Sequence, residues 1–208
     1  EKGMYWNTRA DDLVVKAMIG MLERNPNVPK ERIDEVAIAA TTQQGDQGLT
    51  LGRTAAILAG LPVTVPGVTL NRLCGSGMDA VGSAARAIRC GEASLVLAGG
   101  VESMSRAPFV MPKADSAFSR EAQIHDTTLG WRFVNPLIKA QYGVDSMPET
   151  GENVAAGFGI SRADQDLFAW RSQQRAGAAI ACGFFAREIV PVSIARRRQE
   201  PLLIDRDE

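Results

Sequence analysis

Apolar positions in the first hundred residues switch repeatedly between two periods. From Ala10 to Asn25, the residues Leu13, Val14, Ala17, Met18, Met21 and Leu22 recur at helical spacing. Asp11 and Asp12 suit the first turn of that helix and Arg24 its last, as the helix dipole favours. Ile33 to Ala40 then alternates around Val36 and Ile38 and predicts a strand. A polar loop, Thr41 to Gly48, leads to a helix predicted over Thr50 to Gly60, ended by Gly60 and Pro62. Val65 to Leu70 is apolar and β-branched and reads as a buried strand. Met78 to Cys90 is an alanine-rich helix with Val81, Ala84, Ala85 and Ile88 on one stripe, and Ser94 to Ala98 is a further buried strand. Strands alternating with helices predict an α/β fold, a mostly parallel sheet covered on both faces. Ligands of such sheets sit in the loops at the carboxyl ends of the strands.

After Gly100 the pattern changes, and no clear strand follows until Glu188 to Val192. That interval is too long for a connection within a compact sheet and predicts a separate lobe. Ala107 to Tyr142 is loop-rich, a helix starts near Glu149, and a long helix runs from Ser161 to Cys182. Ser161 is its predicted N-cap, Asp164 lies in its first turn and Gly183 stops it. The division that follows is an α/β domain over residues 1–107 and an inserted, mainly helical loop domain over 108–208.

Composition narrows the function classes. With 208 residues, 45% hydrophobic and 23% charged, the chain has an ordinary globular make-up. A net charge of -1 provides no basic field for nucleic acid, and no run is apolar enough to span a bilayer. No signal peptide is evident at the start. Cys74, Cys90 and Cys182 are an odd set without metal-like spacing, which fits free thiols in a reducing cytoplasm. The single histidine, His125, argues against a His-rich metal site and, in a polar loop, reads as a surface residue. The chain opens on Glu1-Lys2-Gly3 and closes on Asp205-Arg206-Asp207-Glu208, and reads as a fragment.

The chemistry concentrates at Asn71-Arg72-Leu73-Cys74-Gly75-Ser76-Gly77, between a predicted strand and a predicted helix. Gly75 and Gly77 allow a tight turn and the close approach of another group. At a helix N-terminus, unpaired N–H groups and the dipole favour an anion, here a thiolate. Local chemistry leaves three readings: a packed structural cysteine, the commoner case; an activated nucleophile; and a phosphate-cradling loop, the weakest because no Gly-Lys-Ser/Thr follows.

Asn71 to Gly77 resembles the nucleophile segment of the thiolases. Gly99-Gly100-Val101-Glu102-Ser103-Met104-Ser105 resembles the next signature of that family at matching spacing, and Glu152-Asn153-Val154-Ala155 and Ser161 to Asp166 follow in order. The resemblance covers essentially the whole chain and implies that Cys74 carries the acyl group. It also implies a loop domain that binds coenzyme A as co-substrate, with no permanent cofactor, and that helps to build a homotetramer. In related thiolases a methionine packs along the pantetheine arm, which maps to Met147; Ser146 stands where biosynthetic members often have histidine. A basic loop at the place of Arg196-Arg197-Arg198 meets the nucleotide end, which points to Arg197 or Arg198 as an anion contact, against the plainer reading of a solvated run.

Trp131 to Pro136 with Asp145 to Thr150 looks most like thiolases acting on 3-oxoadipyl-CoA in aromatic catabolism. Thr41 to Pro62 looks closer to the fatty-acid β-oxidation branch. A dicarboxylate tail needs a cation, and Arg72, Arg106 and Arg132 are the candidates. The family's Gly-His-Pro histidine and Cys-x-Gly second cysteine do not occur in these residues. Two alternatives accompany the acyltransferase reading: a ketosynthase-like relative that runs condensation with an activated cysteine on the same fold, and, favoured by the absent motifs, a non-catalytic piece that binds coenzyme A or assembles with partners.

Overall fold

A computed structural model describes residues 3–196 and 198–207. The chain forms two compact units, one comprising residues 3–109 and 190–207 of the described chain, the other residues 110–189. The segment after Val190 groups with the first unit, whereas the sequence pattern placed all of 108–208 together.

The first unit is built on three parallel strands, β1 (Glu35–Ala39), β2 (Gly67–Leu70) and β3 (Val96–Gly100), in the order β2-β1-β3. Helices α1 (Ala10–Arg24), α2 (Leu51–Leu58) and α3 (Ser76–Arg89) connect and cover them. Alternation along β1 explains the layering. Val36 and Ile38 point into a core with Val14, Met18, Leu22, Leu51, Ala55 and Ala56 from α1 and α2. Ala37 and Ala39 point the other way, onto Ala80 of α3. β1 is therefore buried on both faces, while β2 and β3 form the sheet edges and are less buried.

Between α2 and β2 the approach requires glycine on both sides. A Cβ on Gly52 would press onto the Val68 backbone, and one on Gly67 onto the backbone of Gly52 and Arg53, so α2 lies directly against β2. α3 also sits close to the sheet, because Ser76, Ala80 and Ala84 are the residues it buries. The stripe expected to face inward is displaced: Val81 and Ile88 are exposed. Small side chains win the inner face because they let the helix approach the alanines of β1.

An antiparallel hairpin closes the first unit's sequence, β4 (Val192–Arg196) and β5 (Gln199–Ile204). The strand expected at Glu188 to Val192 thus begins only at Val192.

In the second unit, helices α4 (Pro136–Tyr142), α5 (Met147–Phe158) and α6 (Arg162–Ala181) carry strong local start and stop signals. Asn135 accepts the N–H groups of Leu137 and Ile138 with Pro136 as the first helical residue. Ser146 and Glu149 form a reciprocal capping box, and Gly159 ends α5 in the left-handed region. Ser161 caps α6 as expected, accepting the Asp164 N–H at 3.2 Å.

Candidate active site

The parallel register sets Ala39, Leu70 and Gly100 side by side at the carboxyl edge of the sheet. The three chains leaving that edge carry Thr41 and Thr42, Asn71 to Ser76, and Glu102. Cys74 lies between the end of β2 and the first residue of α3, on the turn the sequence predicts, and it is exposed. Among the described residues nothing packs over it, in contrast to the packed-cysteine reading.

Leu73 adopts a left-handed backbone with φ of 48°, unusual for a bulky non-glycine residue and costing about 1–3 kcal/mol. Both sides of Leu73 are tied down. Its N–H donates to Asn71 Oδ1 at 2.9 Å, while its carbonyl accepts the Ser76 hydroxyl at 2.6 Å and the Ser76 N–H at 3.0 Å. The buried Ser76 hydroxyl also accepts the Arg72 N–H at 2.7 Å. This small ring forces the chain to reverse at Leu73 and turns Cys74 outward. Gly75, the N-cap of α3, brings no side chain to the helix start, and Cys74 directly precedes it, one residue before the positive end of the helix.

Glu102 binds the neighbouring loops together. Its carboxylate accepts the Thr41 N–H at 2.7 Å, the Thr41 hydroxyl in a short hydrogen bond, the Thr42 N–H at 3.4 Å and Gln47 Nε2 at 2.9 Å. Gln47, buried, accepts the Ser103 N–H at 2.7 Å through its other amide atom. Partial burial works to raise the Glu102 pKa, but the hydrogen bonds from Thr41, Gln47 and Thr42 outweigh it, so the carboxyl lies below its ordinary value. Asn71 Nδ2 donates to the Thr41 carbonyl at 2.9 Å and joins this cluster to the cysteine turn.

The other candidates are distributed as follows. Arg106 is engaged by Asp46 in a short ion pair, and Arg72 pairs with Asp79 at 3.1 Å. Arg132 donates to the Gly130 carbonyl at 3.1 Å. Ser146 has a local task as the cap of α5, and Met147 is exposed at the first position of that helix. Arg198 lies exposed at the β4–β5 turn with φ of 57°, and Arg197 lies outside the described residues. His125 is half-buried rather than on the open surface, its ring 5.2 Å from that of Phe133 in an edge-to-face contact. Among the described residues no cluster of His, Cys, Asp and Glu could hold a metal, and no helix is long and apolar enough to cross a membrane.

Sequence reading singled out Cys74 and the segments containing Asn71 and Glu102, but gave no role to Thr41 and Gln47. The polar Thr41 to Gly48 loop at a strand's carboxyl end was their available signal.

A parallel α/β unit presenting an exposed cysteine at a strand-to-helix turn, with the adjoining loops locked by a carboxylate, is a scaffold suited to a covalent nucleophile. The chain belongs to the thiolase family: residues 1–208 match the thiolase N-terminal domain. It is 61% identical over 200 residues to a β-ketoadipyl-CoA thiolase of Pseudomonas knackmussii, covering 96% of this chain and 50% of that one. It is 54% identical over 206 residues to a 3-oxoadipyl-CoA/3-oxo-5,6-dehydrosuberyl-CoA thiolase of Escherichia coli, covering 99% and 51%. A crystal structure of the Bacillus anthracis acetyl-CoA acetyltransferase superposes with a TM-score of 0.85 at 34% identity, covering 99% of this chain and 50% of that one. The chain thus spans about half the length of the curated relatives it matches.

Proposed function

We propose that this chain supplies the nucleophile of an acyltransferase that cleaves 3-oxoadipyl-CoA (β-ketoadipyl-CoA) with coenzyme A. The observation that carries the reading is the exposed Cys74 at the N-terminus of α3, on a turn held from both sides. The 54–61% identity to thiolases named for that substrate supports the substrate class, ahead of a fatty-acid β-oxidation substrate.

In this scheme the Cys74 thiolate attacks the 3-keto carbon. The bond between the α and β carbons breaks, its electron pair stays on the acetyl-CoA fragment, and a proton completes acetyl-CoA. The remaining acyl group is held as a thioester on Cys74. The thiolate of a second coenzyme A attacks that thioester, releasing the shortened acyl-CoA and the free cysteine. The covalent intermediate replaces one difficult step with two easier ones. Coenzyme A is a co-substrate, with Met147, Ser146, Arg197 and Arg198 as its proposed contacts; the Ser146 hydroxyl also serves the helix cap. A cytoplasmic homotetramer completes the reading.

A second reading rests on a specific feature: neither a Gly-His-Pro nor a Cys-x-Gly motif occurs in these 208 residues. On that reading the chain binds coenzyme A or assembles with partners without turnover. Incubation with 3-oxoadipyl-CoA, followed by mass spectrometry of the Cys74 peptide, separates the two. An acyl adduct on Cys74, absent in Cys74→Ala, is expected. Coenzyme A binding by calorimetry without any Cys74 adduct would replace the catalytic reading with the second.

A further inference from the structure

Surface glutamates are usually solvated, yet Glu102 collects hydrogen bonds from Thr41, Thr42 and Gln47 although it lies near the surface of its unit. Its donors lie on the loop after β1, 55 to 61 residues away in sequence, so the carboxylate links the ends of two strands. The same loop accepts Asn71 through the Thr41 carbonyl at 2.9 Å. The other end of the Asn71 side chain accepts the Leu73 N–H at 2.9 Å, immediately before Cys74. One continuous series of contacts therefore runs Glu102, Thr41, Asn71, Leu73, and ends at the cysteine.

We propose that Glu102 is a positioning residue for Cys74, holding the left-handed Leu73 turn through Thr41 and Asn71. Glu102 touches neither the thiol nor α3 in this series; it acts by fixing the loop on which Asn71 rests. Charged acceptors make stronger hydrogen bonds than neutral ones, which suits a carboxylate to gathering several N–H and O–H donors at one point. A left-handed leucine persists only where its surroundings over-determine it. Removing the carboxylate relaxes the Thr41 loop, Asn71 loses its fixed acceptor, and the turn samples conformations that carry Cys74 away from the helix N-terminus. The inference rests on Cys74 being the nucleophile, but its first readout does not.

The test uses the full chain with Glu102→Gln and Asn71→Ala, two changes at opposite ends of the series. Asn71 is exposed, so the second variant keeps the test usable where the first disturbs folding. Backbone hydrogen exchange of the Asn71–Ser76 segment is expected to quicken at least threefold in both, with β1 unchanged. Iodoacetamide labelling, read peptide by peptide, is expected to fall at least threefold at Cys74. Cys90, at the far end of the same helix, and Cys182 are internal controls, both exposed and expected not to change. A general loosening of the fold would instead move Cys90 as well. Because both variants break one series, the double variant is expected to match the stronger single rather than their product. Unchanged exchange at Asn71–Ser76 in both variants overturns the proposal, as does equal change at Cys74 and Cys90. If Cys74 of the parent chain labels no faster than Cys90, the nucleophile reading fails, and exchange alone then decides the positioning role.

Discussion

The two units of this protein are stabilised by different parts of the physics. In the first, α1, α2 and α3 all lack a side-chain N-cap, yet each buries residues against the sheet. In the second, α4, α5 and α6 each have a side-chain N-cap, yet in α6 no residue is buried over its full length of 20. Phe168 and Trp170 of α6 are 79% and 58% exposed, whereas Ile38 of β1 is 2% exposed. Burial holds the first unit's helices in place; local hydrogen bonding at the ends defines those of the second. The difference shows that a helix can be clearly written in sequence without being anchored by a core.

The largest expected contrast comes from deleting apolar side chains in both units. Ile38→Ala empties space between α1, α2 and β1 and is expected to cost about 2–5 kcal/mol in urea unfolding. Phe168→Ala, on an exposed helix face, is expected to change stability by no more than about 0.5 kcal/mol. Equal costs would erase the distinction between the units.

Next in size is the close approach of α2 to β2. Gly67→Ala forces a methyl group onto the backbone of Gly52 and Arg53 and is expected to cost about 1–3 kcal/mol. The control, Gly177→Ala on α6, has open space around it and removes a helix-interior glycine, so it is expected to stabilise by about 0.5–1 kcal/mol. Thermal melts of the two variants should shift in opposite directions.

Capping reverses the contrast. Ser146→Ala removes half of a capping box and is expected to weaken α5 by about 0.5–2 kcal/mol, read by hydrogen exchange within that helix. Thr50→Ala precedes α2 without a side-chain cap bond and is expected to leave α2 exchange unchanged. A similar loss at both would show that burial does not substitute for caps in the first unit.

The smallest effect is acid sensitivity. Asp34 accepts the N–H groups of Ser94 and Leu95 at 2.6 and 3.0 Å, and these bonds hold its carboxyl below the ordinary value. The backbone and hydroxyl of Ser146 do the same for Glu149. Folded pKa values below the unfolded ones add stability that is present above about pH 4 and lost as pH falls through the folded values. The melting midpoint should be flat from pH 7 to about 5 and drop below about 4. Asp34→Asn should blunt that drop, and an unchanged acid limb would remove Asp34 as a contributor.

Much of the architecture was legible because it rests on periodicity and local chemistry. The alternation in Glu35–Ala39, the buried Val14, Met18 and Leu22 of α1, the cap at Ser161 and the stop at Gly183 each depend on residues a few positions apart, whereas Ala17 and Met21 of the expected α1 stripe are exposed. Cys74 was legible as a turn residue for the same reason. The inward face of α3 was legible only at Ala84, because Ser76 and Ala80 displace Val81 and Ile88 only when the distance to the alanines of β1 is known. Nor was the left-handed Leu73, since leucine carries no local preference for that region.

The amino-acid sequence by itself determined the element types, the α/β class and the turn that bears Cys74, because these follow from short-range sterics and side-chain spacing; the signatures around Cys74 were legible only as a resemblance to a known family. Only the tertiary structure decided that Glu102 meets Thr41 across 61 residues, that Asn71 joins them to the cysteine turn, and that the chain after Val190 rejoins the first unit. The first two contacts exist because β1 lies between β2 and β3 with their carboxyl ends level, and strand order is a property of the packed sheet rather than of any segment within it.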